Sequence, residues 1–262
     1  MATETQHVSL RNLTHVFSDG RTPLRALEDV TLEVPRGQFT SIIGPSGCGK
    51  STLLRIVGGL LPPSAGSTLV DGQRPAEAQR RHDIGFVFQD PALLPWRTVA
   101  SNVHLPLEID GARRRATDVG SLLDLVGLRE FRDYYPHQLS GGMQQRVAIA
   151  RALAVNPSLM LMDEPFGALD EITRASMRYE LLRIWASQAE SAARKTVLFV
   201  THSIAEAIVM SDRVIVLTGR PGRVVADVDI ELPRPRTQEI ERSAPFLDHT
   251  DHLRRLLIGD AA

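Results

Sequence analysis

Phe39-Thr-Ser-Ile-Ile-Gly44-Pro-Ser-Gly-Cys-Gly-Lys50-Ser-Thr52 decides the fold of this chain. Phe39 to Ile43 is a compact apolar run of strand length, and helical patterning begins at Lys50 and continues to about Val57. A Gly-rich turn therefore joins a strand to a helix. Gly44 to Ser51 fits the spacing G-x-x-x-x-G-K-[ST] in the context that this pattern requires. The glycines permit a tight turn and bring backbone N–H groups close to a polyphosphate at the helix's positive end. Lys50 neutralises β and γ oxygens, and Ser51 supplies a hydroxyl for Mg2+. A purely structural turn explains the glycines and leaves Lys50 unexplained.

Outward from that loop, Val8 to Leu13 and Val30 to Val34 read as short strands, and Asp83 to Gln89 as a buried one. Helical patterns run from the Pro-punctuated Asp90–Arg97 stretch to about Gly127, and again from Gly141 to Ala154. Then follow a strand at Leu159 to Met162, a helix from Glu171 to about Glu190 and a strand at Thr196 to Val200. A short helix at Ile204 to Met210 and a strand at Arg213 to Leu217 complete the alternation. The pattern predicts an α/β fold with a mainly parallel core sheet. Beyond Gly219 the chain is Pro-punctuated and charged, with Leu232-Pro-Arg-Pro-Arg236 as an extended link to a final helix holding Leu253, Leu256 and Leu257. There is no internal repeat.

With 262 residues, 43% of them hydrophobic, the sequence supports a large core without staples. Lys plus Arg (30) nearly balances Asp plus Glu (31), so no polyanionic field points to a nucleic-acid partner. Cys48 is the sole cysteine, which suits a reducing compartment. No base stands beside it in sequence, so a loop position is favoured over a catalytic thiol, with alkylation as its experimental use. The N-terminal residues lack the charged start and apolar stretch of a signal peptide, and the apolar runs are strand-length, so a cytoplasmic location and no bilayer span are expected.

Leu159-Met-Leu-Met-Asp-Glu-Pro165 puts Asp163 and Glu164 where an apolar strand ends, the usual place for functional groups in an open α/β sheet. One carboxylate of such a pair positions Mg2+ and the other orients or deprotonates the attacking water, which suits Asp163 and Glu164 respectively. Leu139-Ser-Gly-Gly-Met-Gln-Gln-Arg146 precedes a helix. Ser140 can cap it while offering its hydroxyl to a phosphate, and Gly141 and Gly142 open the backbone to an anion.

This segment closely resembles the signature of ABC ATPases. Gln89, Ala168-Leu-Asp170 and His202 look like that family's Q-loop, D-loop and switch histidine, and the resemblance covers roughly Val8 to Gly222. It implies a P-loop NTPase with an N-terminal antiparallel β-subdomain and an inserted helical subdomain at about 90–155. The ATPase domain is then 1–222, and 223–262 is a C-terminal extension. Gly44, Pro45, Ser46, Gly47, Cys48, Gly49, Lys50, Ser51 and Thr52 are expected to hold ATP, with Ser51, Gln89 and Asp163 organising Mg2+. Glu164, His202 and Lys50 carry catalysis, and Ser140, Gly141 and Gly142 serve the ATP of a partner. Phe17 stands where the family stacks adenine on an aromatic, usually Tyr; stacking and a core role are both open.

The resemblance further implies a head-to-tail dimer with a second copy or a paralogous ATPase, peripheral on the inner face of the cell membrane. Its membrane partners would be permease subunits, served indirectly by a solute-binding protein. Leu93, Leu94 and Trp96 either meet the permease or pack internally. The run Pro91 to Ile109, Arg220-Pro-Gly-Arg223 and Leu232-Pro-Arg-Pro235 are similar to nitrate, sulfonate and taurine importers. An exporter ATPase with a detached permease and a soluble, non-transport P-loop ATPase are the alternatives.

Overall fold

A computed structural model of the chain describes residues 6–18, 22–108, 117–167, 169–186 and 194–259. The chain forms two compact units, 1–79 with 196–262, and 80–195.

The first unit contains an antiparallel sheet in the order β2-β1-β4, built from β1 (Gln6–Phe17), β2 (Leu24–Pro35) and β4 (Ala65–Val70). β1 runs well past the expected end at Leu13. Asn12 takes a positive φ of 48° in an irregular step of the pairing between Leu10 and Leu13, and its side-chain Nδ2 donates to Asp29 Oδ1 at 2.7 Å. The interruption of alternation is therefore a bulge inside one strand.

In the same unit β3 (Phe39–Ile43) lies between β7 (Thr196–Val200) and β8 (Arg213–Leu217), parallel to both. Every residue of β3 and β7 is buried, as expected of strands covered on both faces. β9 (Val224–Asp229) adds antiparallel to β8. It falls in the charged stretch beyond Gly219, where the sequence suggested no strand, because its face alternates between half-buried and exposed, and its aspartates are an edge strand's charges. Asp227 pairs with Arg213. α1 (Lys50–Val57), α2 (Pro75–Arg80), α7 (Ile204–Met210) and α8 (Ala244–Gly259) complete the unit; α8 buries Phe246 and Leu253 and leaves Leu256 and Leu257 half-buried.

The second unit pairs β5 (Ile84–Val87) parallel with β6 (Leu159–Asp163). Its helices are α3 (Val99–His104), α4 (Val119–Leu125), α5 (Gly141–Leu153) and α6 (Glu171–Ala186). The expected continuation of α6 to Glu190, Ile109 and part of the helical stretch before Gly127 lie outside the described residues, as does Ala168. The parallel strands and intervening helices form the α/β fold expected from the sequence. Among the described residues no helix is long and apolar enough to cross a membrane.

Candidate functional site

In the first unit, residues 44–49 turn from the end of β3 into α1. Gly47 and Gly49 have φ of 76° and 102°, which an L side chain reaches only with strain. Gly49 is the N-cap of α1 and brings no side-chain cap, so the cap residue places no side chain over the start of the helix. A Cβ on Gly49 would lie 2.8 Å from the Ala26 carbonyl oxygen and 2.7 Å from Leu27 Cδ2, so this turn is packed against β2 as well as twisted. Lys50 is 5% exposed, and its ammonium donates to the Gly44 and Pro45 carbonyls at 2.8 and 3.1 Å. A buried charge is thus held on the inside of the loop by backbone dipoles.

Pro45 and Ser46 are exposed, and Ser51 and Thr52 are half-buried. Cys48 is buried, and that burial pushes its thiol pKa up, opposed by the nearby Lys50 charge. A thiol kept protonated is a poor nucleophile, in keeping with its reading as a loop residue.

Phe17, at the end of β1, is 40% exposed, with its ring edge-on to His15 at 4.5 Å between centroids. It is outside the buried core. His202 is exposed one residue beyond the turn from β7, where the Thr201 amide donates to the Ile42 carbonyl at 3.3 Å. Ser203 then caps α7, accepting from the Glu206 amide.

Sequence reasoning did not single out Arg220 as a site residue. Its Nε donates to the Gly47 carbonyl at 3.2 Å, and Nη2 lies 2.7 Å from where a Gly47 Cβ would sit. The only signal for it was the charge in Arg220-Pro-Gly-Arg223.

In the second unit, Asp163 is buried at the last position of β6 and Glu164 is half-buried in the turn that follows. Glu164 has φ of 44°, unusual for a residue with a side chain and the kind of local strain that collects at functional sites. The turn closes with the Gly167 amide on the Glu164 carbonyl at 3.0 Å and is anchored by buried Phe166. Gln89 lies over it: a Cβ on Gly167 would meet Gln89 Nε2 at 3.2 Å. The structure therefore brings Gln89 and the Glu164 turn together. Asp170 accepts from the Thr173 amide at 3.0 Å, and that bond holds its carboxyl below the usual range.

Ser140 is the N-cap of α5, and its Oγ accepts from the Met143 amide at 3.3 Å. Ser140 and Gly141 are exposed, so the start of this 13-residue helix is open to an anion. Gly142 is buried, and a Cβ there would come within 2.9 Å of Thr173 Cγ2. Close approach of α6 is a second reason for glycine at that position.

The stretch from Asp90 to Arg97 is ordered by buried Asn102. Its side-chain oxygen accepts from the Leu94 amide at 2.8 Å, and its NH2 group donates to the carbonyls of Leu94, Arg97 and Thr98. Arg151 braces the same loop through the Pro91 and Ala92 carbonyls. Leu93 and Leu94 are half-buried, whereas Trp96 is 71% exposed.

Residues 27–167 match the ABC transporter family. The chain is 45% identical to a taurine import ATP-binding protein of Rhizobium johnstonii, over 91% of this chain and 90% of that protein. It is 41% identical to a nitrate import ATP-binding protein of Synechocystis sp., over 97% and 96% respectively. A solved ATP-binding cassette, dimeric and bound to ADP and Pi in a post-hydrolysis state, superposes with a TM-score of 0.71 at 37% identity, covering 86% of this chain and all of that one.

Proposed function

The chain belongs to the ABC transporter family of ATP-hydrolysing subunits, and on that premise we propose that it powers an importer of a small solute through a separate permease. Two relatives named as import proteins, for taurine and for nitrate, align along nearly the whole chain and support an importer of that nutrient class. One structural observation carries the mechanism: among the described residues, glycine-rich turns lead into α1 at Gly49 and into α5 at Ser140. A head-to-tail dimer uses both. Each ATP lies on the Gly44–Thr52 loop of one copy and the Ser140-Gly141-Gly142 turn of the other, so neither copy completes a site alone. The solved dimeric cassette supports that arrangement.

Lys50 offsets charge on the β and γ phosphates, while backbone N–H groups of the loop hold the oxygens. The Ser51 hydroxyl, the Gln89 amide oxygen and the buried Asp163 carboxylate are hard oxygen donors of the kind that Mg2+ takes. When bound there, that ion would supply positive charge to offset the phosphates. Glu164, in the turn that follows β6, orients the attacking water and takes its proton, and His202 stands by the γ-phosphate. Phe17 offers a ring face to adenine but no phenolic hydroxyl. Exposed Trp96 is the contact to the permease, held outward by the Asn102 network. Residues 1–222 serve as the ATPase domain, with a helical insertion at about 90–155, and 223–262 as its extension. The protein then works at the inner face of the membrane.

The test is the Glu164→Gln variant, weighed by light scattering with and without Mg-ATP. A shift from monomer to dimer on ATP, with turnover abolished, is the expected result; unchanged hydrolysis overturns the role of Glu164, and a monomer that binds ATP without pairing counts against the shared site.

A further inference from the structure

Leu232-Pro-Arg-Pro-Arg236 lies outside the family match, yet it ends in a buried cation whose two terminal nitrogens donate to five backbone carbonyls. Arg236 is 6% exposed. Its Nη1 donates to the carbonyls of Ile208, Val209 and Ser211 at 2.7, 3.1 and 2.6 Å, and its Nη2 to those of Ile230 and Leu232 at 3.3 and 3.2 Å. Burial lowers its pKa to about 10, so it remains charged near neutrality. Arg234 takes the carbonyl between these, Met210, at 2.8 Å, and its Nε donates to Asp212 Oδ1. Two arginines thus cover four consecutive carbonyls at the negative end of α7.

α7 has seven residues, about 10 Å of helix, too short to absorb a shift at one end by bending. Its other end carries His202. Thr201 Oγ1 donates to the buried Glu206 carboxylate of the first turn and accepts from the Ser203 amide at 3.0 Å, so the residues on both sides of His202 are tied into the helix. β3 fixes the same element at two points. Thr201 donates to Ile42 at one end, and at the other the Asp212 amide donates to Phe39 while the Phe39 amide donates to Asp212 Oδ2. The helix is a short rod seated along the strand that feeds the phosphate loop, and the extension covers the carbonyls of its C-terminal end.

We propose that Arg236, assisted by Arg234, is a positioning residue for His202, so that the C-terminal extension sets the catalytic competence of the switch histidine through α7. The proposal rests on the role given to His202 above. A guanidinium fork is required, because the ammonium of a lysine is a single point of attachment and cannot span three carbonyls on one side and two on another.

The experiment uses the full chain and measures three quantities for Arg236→Met and Arg234→Met, alone and combined with His202→Ala: kcat for Mg-ATP, ATP affinity and Tm. The expected outcome is a kcat lowered about tenfold by Arg236→Met and about threefold by Arg234→Met, with ATP affinity within about twofold of the parent. Neither variant adds to the loss already caused by His202→Ala. A folded variant with parental kcat overturns the proposal, as does a loss that multiplies with that of His202→Ala. If Arg236→Met does not fold, the more exposed Arg234 decides the matter by the same criteria. Parental turnover in His202→Ala alone instead overturns the role of the histidine.

Discussion

The two helix starts at Gly49 and Ser140 make opposite use of glycine. Before α1, glycine is required by the backbone itself: the φ of 102° at Gly49 and its packing on β2 leave no room for a side chain, and Lys50 supplies charge from within. Before α5, a serine caps the helix, Gly141 is open to solvent, and Gly142 is needed chiefly where Thr173 approaches. One start is a rigid charged cradle and the other an uncharged capped end. A cradle of this kind can hold polyphosphate unaided, whereas a capped end is suited to completing a site that another chain has already half built.

Removing the cradle's charge breaks that contrast most directly. Lys50→Ala is expected to lower kcat/KM for ATP by about 10²–10³-fold, read by steady-state hydrolysis, while the α5 end stays intact. Next comes the glycine pair at the other end. Gly142→Ala is expected to destabilise the fold by about 1–3 kcal/mol in urea unfolding, from overpacking against Thr173, and Gly141→Ala by well under half of that. Equal costs at the two positions would remove the packing explanation. Ser140→Ala is smaller still, about 1 kcal/mol of stability for the lost cap, with ATP affinity of the isolated chain unchanged because the cradle does that work. Weaker ATP binding in that variant would mean that the capped end serves its own chain.

The smallest effect concerns Lys195, the only other lysine, and serves as a control for Lys50. Its ammonium donates to Asn156 Oδ1 at 2.6 Å and to the Pro157 carbonyl at 2.7 Å, and burial lowers its pKa from 10.5 to about 8. The unfolded chain therefore binds more protons between about pH 8 and 10.5, so this residue makes stability rise with pH across that window. Below pH 8 both states are protonated and its burial penalty is fully present. Lys195→Met is expected to flatten the rise in unfolding free energy between pH 8 and 9.5, measured in urea; an unaltered slope assigns it to other groups.

Much of this was legible in the sequence because buried parallel strands are short apolar runs with sharp ends. Phe39–Ile43, Thr196–Val200 and Arg213–Leu217 occupy the residues expected of them, and so does the helix Ile204–Met210. The antiparallel strands were harder to see. β1 hides a bulge at Asn12, and β4 and β9 present partly polar faces that resemble loops. The phosphate-loop residues and the carboxylate pair could be named from spacing, whereas Gln89 and His202 were named through the family resemblance. Arg220 and Arg236 could not be assigned roles, because each acts on backbone carbonyls, many of them far away in sequence, and carbonyls leave no trace in residue identity.

The outward Trp96 gives the molecule a built-in optical probe. Of the two tryptophans, Trp185 is buried, donates to the Lys195 carbonyl and is covered by the Arg194 guanidinium at 3.7 Å from its ring centre. A water-soluble quencher such as iodide therefore reaches the fluorescence of Trp96 and spares that of Trp185. Any protein that seats itself on the 90–97 loop will shield the quenchable fraction and shift its emission to the blue, so docking can be followed on the unlabelled chain by light alone.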